Sequence, residues 1–262
     1  MPDIFDLPPF TGDPQTADIL HVGDDSDNLD KKGTVAQFIR WIRGAGSNST
    51  KLIDGAGTAT NNYDLSAGSG TDATGGHSFA GSLNSTSSGA NSFAFGNVAL
   101  ASAVHSWATG LRSIASRYGE WARASFRFAA DGDTQISQYH AAVETGNATP
   151  TDLFLDGNAT TQRITIPDSS VITIQALVTG RRSGANEVAG YRLAAVVERN
   201  VGAGTTAIVG AQEKVVLGES VGAWDANIVA DAVNGAIAVQ VTGVAAQTIR
   251  WSAKIDSIQI NL

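Results

Sequence analysis

His77-Ser78-Phe79-Ala80, Asn91-Ser92-Phe93-Ala94, His105-Ser106-Trp107-Ala108 and Gly119-Glu120-Trp121-Ala122 follow one another at a spacing of fourteen residues. A fixed period marks a chain that stacks similar units. The second half of each row repeats too: Ser85, Ala99 and Ser113 share a column, as do Ser87, Ala101 and Ala115, and Ser88, Ser102 and Ser116. One row earlier the match continues in Tyr63-Asp64-Leu65-Ser66, with Thr71 and Ala73 behind it. Alternation within a row, as in Phe93-Ala94-Phe95, has the period of a β-strand. Each row therefore reads as one coil of a β-solenoid with two short strands and two turns. Gly96 and Gly110 recur at one turn, where positive φ costs glycine little.

At a strand spacing of ~4.8 Å, Phe79, Phe93, Trp107 and Trp121 form one column, expected to point inward and to form the core of the solenoid. The other inward positions hold Ala, Ser and Leu, so a coil encloses little. Burying one aromatic contributes roughly 1.5–3 kcal/mol, which does not outweigh the entropy of ordering a whole coil. The missing burial is expected from other copies of the chain, and the prediction is a homotrimer packed around a threefold axis.

The pattern resembles the head repeats of trimeric autotransporter adhesins of the YadA type, which run roughly N-S-x-A-x-G-x-x-S-x-A-x-G. Asn91-Ser92-Phe93-Ala94-Phe95-Gly96 matches it, with Ala99 and Ala101 behind; the last small slot varies, with Gly89, Ala103 and Arg117. The resemblance covers about 63–125 and implies a left-handed β-roll stalk. Such repeats occur on bacterial adhesins and on phage fibres.

The chain has 262 residues, abundant glycine (29), no cysteine and a net charge of −8. This composition favours turn-rich β structure, rules out disulfide and thiolate chemistry, and argues against a nucleic-acid partner, which needs a basic stripe. Met1-Pro2-Asp3-Ile4-Phe5-Asp6 lacks the form of a signal peptide, and no run of apolar residues is long enough for membrane insertion. An autotransporter needs both an export signal and an anchor, so the expected setting is a virion assembled in the host cytoplasm.

Three regions are expected: an attachment segment over 1–50, the solenoid over 51–125 and a β-sandwich over 126–262. In the first, a proline-punctuated stretch precedes Ile19-Leu20-His21-Val22 and the acidic loop Asp24-Asp25-Ser26-Asp27-Asn28. Thr34 as N-cap, with Gln37 as its capping-box partner, predicts a helix over 34–43. Its Phe38, Trp41 and Ile42 are the candidate anchors to other virion proteins. Gly44 to Thr50 reads as a linker, and 51–62 as an ambiguous first coil.

Beyond 126, alternating runs predict strands at 163–166, 171–179, 191–197, 206–209, 214–217, 227–230, 236–242 and 248–260. Asn234-Gly235 lies between two of them as a hairpin signal. The fold class is all-β, ending in a sandwich of jelly-roll type. Gly132-Asp133-Thr134-Gln135, Leu153-Phe154-Leu155-Asp156-Gly157, Gly190-Tyr191-Arg192, Ala223-Trp224-Asp225 and Thr248-Ile249-Arg250-Trp251 resemble, in that order, the C-terminal domains of phage tail-fibre and appendage proteins. That resemblance implies a virion structural protein that attaches to a host surface glycan or protein. A capsid cement or head fibre is the alternative, and a glycan-hydrolysing spike a further one.

No catalytic residue, metal site or cofactor is predicted. Asp131 and Asp133, and Asp152 and Asp156, are the acid pairs to weigh for glycoside hydrolysis, but turn formation explains both placements. His77 and His105 share a column ~10 Å apart, where a threefold axis would gather their copies. Solvated or intersubunit-packed histidines are the favoured account of that column over a bound metal or anion; His21 and His140 are the other two histidines. The acidic loop lacks the glycine and distal glutamate of a calcium hand. Arg181-Arg182-Ser183-Gly184-Ala185-Asn186-Glu187 is a polar loop between strands, and Arg181, Arg182 and Asn186 are the candidate receptor contacts.

Overall fold

The computed structural model describes residues 64–262 in full, preceded by the backbone of four strands: β1 (Ile19–Val22), β2 (Lys31–Thr34), β3 (Thr50–Leu52) and β4 (Thr58–Ala59). β1 and β2 pair antiparallel, Ile19 opposite Thr34 and Val22 opposite Lys31. Thr34 thus ends a strand, as the extended backbone of an N-cap would allow. The rest of the expected helix, with Phe38, Trp41 and Ile42, lies outside the described residues, as does the acidic loop.

Nine strands build the solenoid: β5 (Leu65–Ser69), β6 (Asp72–Ala73), β7 (Phe79–Leu83), β8 (Thr86–Ser87), β9 (Phe93–Asn97), β10 (Leu100–Ala101), β11 (Trp107–Leu111), β12 (Ile114–Ala115) and β13 (Trp121–Ala124). The longer ones stack in parallel with Leu65, Phe79, Phe93, Trp107 and Trp121 in register, and the short ones form a second parallel sheet. β3 and β4 extend the two sheets, so Thr50–Leu52 and Thr58–Ala59 belong to the stack.

The inside of the coil is made of small side chains. Ala80, Ala94, Ala108 and Ala122 are wholly buried on one sheet, and Ala73, Ser87, Ala101 and Ala115 on the other. Ser85 bonds to the carbonyls of Gly81 and, in the next coil, Gly96, both at 2.7 Å, and Ser106 donates to that of Ala103 at 2.7 Å. With period-two alternation, burying Ala94 turns Phe93 outward. The aromatic column is therefore on the outer face, which corrects the inward placement. Its ring centroids are 4.9 Å apart for Phe79 and Phe93, 5.3 Å for Phe93 and Trp107, and 6.4 Å for Trp107 and Trp121. Trp107 and Trp121 are 51% and 49% exposed. A coil of this length closes on itself only when its interior holds methyls and hydroxyls, and no ring fits there.

The corners use left-handed backbone in columns. His77, Asn91, His105 and Gly119 have φ of 58, 54, 59 and 62°, and Gly70, Asn84, Val98 and Arg112 have 65, 51, 59 and 61°. Gly96 is required by space as well as by φ, since a Cβ there would lie 1.9 Å from the Gly110 carbonyl oxygen of the next coil.

The C-terminal part contains β14 (Thr134–Thr145), β15 (Thr151–Asp152), β16 (Ile164–Thr165), β17 (Ser170–Arg182), β18 (Val188–Arg199), β19 (Ala207–Glu219), β20 (Asp225–Asp231), β21 (Ala236–Thr242) and β22 (Ile249–Asn261). β13 pairs antiparallel with β14, and the order then runs β14-β22-β17-β18-β19. Among the described residues the stalk and the C-terminal part thus share one continuous sheet. A smaller layer, with β20, β15 and β16 paired to β21, covers one face of it. The core between them contains Ile172, Ile174 and Val178 of β17, Tyr191 and Leu193 of β18, and Ile228, Ile237 and Val239 of the smaller layer. Trp251 packs edge-on against Trp224 at 5.4 Å.

β17, β18 and β19 follow one another in one sheet as a meander, without the strand-by-strand alternation between layers that defines a jelly roll. The expected strands all appear, with 206–209 and 214–217 merged into β19. The Asn234-Gly235 hairpin joins β20 to β21, Asp231 pairing with Ala236 and Gly235 at φ 60°. β14 escaped the sequence reading because its buried positions near the stalk are Gln135 and Ser137, which break the apolar alternation. No α-helix occurs among the described residues, and hence none long and apolar enough to cross a membrane.

Candidate functional site

Sheet continuity extends the aromatic column into a longer outer face. The register aligns Phe79, Phe93, Trp107 and Trp121 with Gln138 of β14, Asp256 of β22 and Gln175 of β17. The next outward row holds Phe95, Thr109, Arg123, Ile136, Ile258 and Thr173. Ile258 is 58% exposed, and Ile136, Ile260 and Val171 are also exposed on this side. Beside Trp121 the surface dips into a hollow of about 490 Å³ lined by Trp121, Arg123, Ile136, Gln138, Asp256 and Ile258. Asp256 accepts from Gln138 at 2.8 Å and pairs with Lys254 at 2.9 Å. Burial favours its protonated form, but these two partners hold its carboxyl below the ordinary range.

The candidate receptor loop closes the β17–β18 hairpin at the far end of the same sheet. Arg182 donates from Nη1 to both oxygens of Glu187, at 3.0 and 3.1 Å. Arg181, Arg182, Ser183 and Asn186 line a hollow of about 380 Å³, which Arg250 of β22 completes. Arg250 stands directly opposite Arg181 in the β17–β22 ladder and pairs with Glu144 at 3.1 Å. Nothing in Thr248-Ile249-Arg250-Trp251 marks Arg250 as a binding residue. Alternation places it on the outer face of its strand, but only the register brings it to Arg181.

The weighed acids all have structural partners. Asp131 accepts from Arg112 and Arg127, both at 2.7 Å. Asp133 accepts the backbone N–H groups of Phe128, Ala129 and Ala130, the last two at 2.6 and 2.7 Å. Desolvation alone would raise both pKa values; the two guanidiniums lower that of Asp131, and the three N–H donors that of Asp133. Asp156 accepts from the backbone of Thr161 and Gln162, at 3.2 and 3.1 Å, and is also lowered against its desolvation. Asp152 accepts from Gln240 at 3.1 Å. The bonds of Asp131, Asp133 and Asp156 tie turns, whereas Asp152 lies in β15 directly opposite Gln240 of β21.

His77 and His105 occupy left-handed corners, His105 edge-on to Tyr118 at 5.3 Å, and His140 meets Ser252 at 3.0 Å. No group of three or more His, Cys, Asp or Glu suited to a metal occurs among the described residues.

A buried cluster that the sequence did not reveal closes the stalk. Glu120 takes the place held by Ser78, Ser92 and Ser106 in earlier coils, and Asp64 takes it one coil before Ser78. Asp64 accepts from the Ser78 N–H at 2.8 Å, whereas Glu120 accepts from Ser137 at 2.6 Å, Tyr139 at 3.0 Å and Arg117 at 3.0 Å. Burial and Glu120 drive the Tyr139 hydroxyl well above its ordinary pKa, despite Arg117 nearby.

No protein-family model and no curated protein matches the chain. Among solved structures it is similar to the tailspike protein gp49 of Acinetobacter baumannii bacteriophage Fri1, a capsular polysaccharide depolymerase, at 10% identity and a TM-score of 0.27, over 80% of this chain and 36% of that one. It is also similar to the tailspike of Acinetobacter baumannii phage AM24, at 10% identity and a TM-score of 0.24, over 84% of this chain and 51% of that one. A Bacillus endospore appendage protein from a family of disulfide-linked pili aligns at 13% identity and a TM-score of 0.18, over 53% of this chain and 99% of that one. The chain thus spans about a third to a half of the length of the two tailspikes.

Proposed function

We propose that the chain is a trimeric bacteriophage appendage that attaches the particle to the host surface. Residues 1–50 dock on other virion proteins through Phe38, Trp41 and Ile42, residues 51–125 form the stalk, and residues 126–262 face outward. The observation that carries this reading is the outward column of half-buried Phe79 and Phe93 and exposed Trp107 and Trp121, with its apolar continuation at Ile136 and Ile258. Contiguous exposed apolar surface of this kind marks an association site. Packing three columns around one axis would supply the burial that a thin coil of Ala and Ser lacks. Three copies of a weak site then engage a repetitive surface by avidity.

Binding without hydrolysis is the chemistry that the acids support. A glycoside-cleaving pair needs two carboxyl groups facing a cleft, and Asp131 and Asp133 are instead consumed by guanidiniums and backbone N–H groups.

Sedimentation of the purified chain tests association, with a species three times the 27.0 kDa chain mass as the expected result. A monodisperse 27.0 kDa species with an intact β spectrum would overturn it. Labelling on intact particles tests location. Copies confined to the tail are expected, whereas copies spread over the capsid would replace the fibre with a cement or head fibre. Loss of polysaccharide on incubation with the trimer would replace binding with hydrolysis.

A further inference from the structure

We infer that the tip of the β17–β18 hairpin, completed by Arg250, is a binding site for an acidic polysaccharide, with Arg181 as the residue that grips a sugar carboxylate. The inference rests on the attachment reading above and names the class of surface molecule bound.

Arg181 and Arg250 are direct cross-strand neighbours on the outer face, and Arg182 follows in sequence. Like charges set directly opposite each other in a ladder destabilise it. Two of the three guanidiniums are compensated, Arg182 by Glu187 and Arg250 by Glu144. Arg181 has no carboxylate partner among the described residues; its other ladder neighbour is Val188. The chain carries 25 acidic against 17 basic residues, so this local excess runs against its overall charge. An incoming anion would neutralise the excess, and a guanidinium fork holds a carboxylate in two parallel hydrogen bonds.

The lining narrows the ligand further. Ser183 and Asn186 offer hydroxyl and amide groups to sugar hydroxyls, and Gly184 and Ala185 leave a shallow floor for a ring. Nucleic acid is disfavoured because no aromatic side chain lines the hollow to stack a base. A peptide adding as a strand is disfavoured because β17, β18 and β22 are each paired on both sides. The hairpin tip also lies at the end of its strands, away from the outward column at Trp107 and Trp121.

The test titrates polygalacturonate, and neutral dextran as control, into the full-length protein. Expected is binding to polygalacturonate alone, weakened at about 0.5 M salt as screening shortens. Arg181→Ala and Arg250→Ala should each weaken it about tenfold or more, and Arg181→Lys should restore only part, because an ammonium cannot form the bidentate pair. Thermal stability without ligand should hold or rise in Arg181→Ala, because a like-charge repulsion is removed. A fall would assign Arg181 a structural role and overturn the inference. Equal binding to dextran, no binding to polygalacturonate, or affinity unchanged by both alanine variants would overturn it as well. Full displacement by inorganic phosphate at equal charge would mark a general oxyanion site and overturn the sugar assignment. If polygalacturonate fails while wild-type particles still need this chain to adsorb to cells, the attachment reading stands and only this inference falls.

Discussion

Arg117 donates from Nη1 to Glu120 Oε1 at 3.0 Å, with both side chains buried where the last coil meets β14. Arg117 also donates to the Thr165 carbonyl at 2.6 Å and to Gln259 at 3.0 Å, so one guanidinium ties the stalk to β16 and β22. Burial opposes its charge, but Tyr139 and Glu120 raise its pKa above the ordinary value. Removing one member of a buried pair leaves the other uncompensated, at a cost of about 3–5 kcal/mol. Glu120→Ala should therefore lower the urea midpoint sharply. The double variant Arg117→Met/Glu120→Leu should lose much less than the two single variants combined.

Trp107 is half-exposed in the single chain, so its role in association separates from its role in folding. Trp107→Asp should leave the far-ultraviolet spectrum β-like while shifting the sedimenting species to 27.0 kDa. An assembly that keeps its mass and full thermal stability would remove the aromatic column from the interface.

Gly96 combines φ 153° with a carbonyl 1.9 Å from any Cβ. Gly96→Ala should destabilise by more than about 1 kcal/mol, because the coils must separate to admit the methyl. Gly146→Ala, where no atom lies within 4 Å, is the control and should stay within about 0.5 kcal/mol.

Val98 sits at φ 59° in a column shared with Gly70 and Asn84. A β-branched residue is strained there, and asparagine is tolerated. Val98→Asn should stabilise by about 1 kcal/mol, read as a raised melting temperature.

Asp131, Asp133 and Asp156 have folded pKa values below their unfolded ones. Their contribution is full above about pH 5 and is lost as pH falls through the folded values, which lie below the ordinary ~3.9. The melting temperature should thus be flat near neutrality and drop in acid. Asp133→Asn should flatten that acid limb.

The sequence alone determined the period, the turn at Gly96 and Gly110, and most strands beyond the stalk. Each of these depends on local chemistry: alternation along a strand, glycine at a turn of positive φ, Asn-Gly at a hairpin. The left-handed corners at His77, His105, Val98 and Arg112 carry no such local mark. Period two separates two faces of a strand but does not say which one is inside, and the room within the coil turned Phe79, Phe93, Trp107 and Trp121 outward. β14 stayed hidden because Gln135 is buried on the Ile114 backbone and Ser137 on Glu120 of the capping cluster, rather than in an apolar core. The pairing of Arg181 with Arg250 joins residues 69 positions apart (250 − 181), through a terminal strand inserted between β14 and β17. Such neighbours are fixed by ladder register across the whole sheet, and register is a property of the assembled layers that no single stretch of the chain encodes.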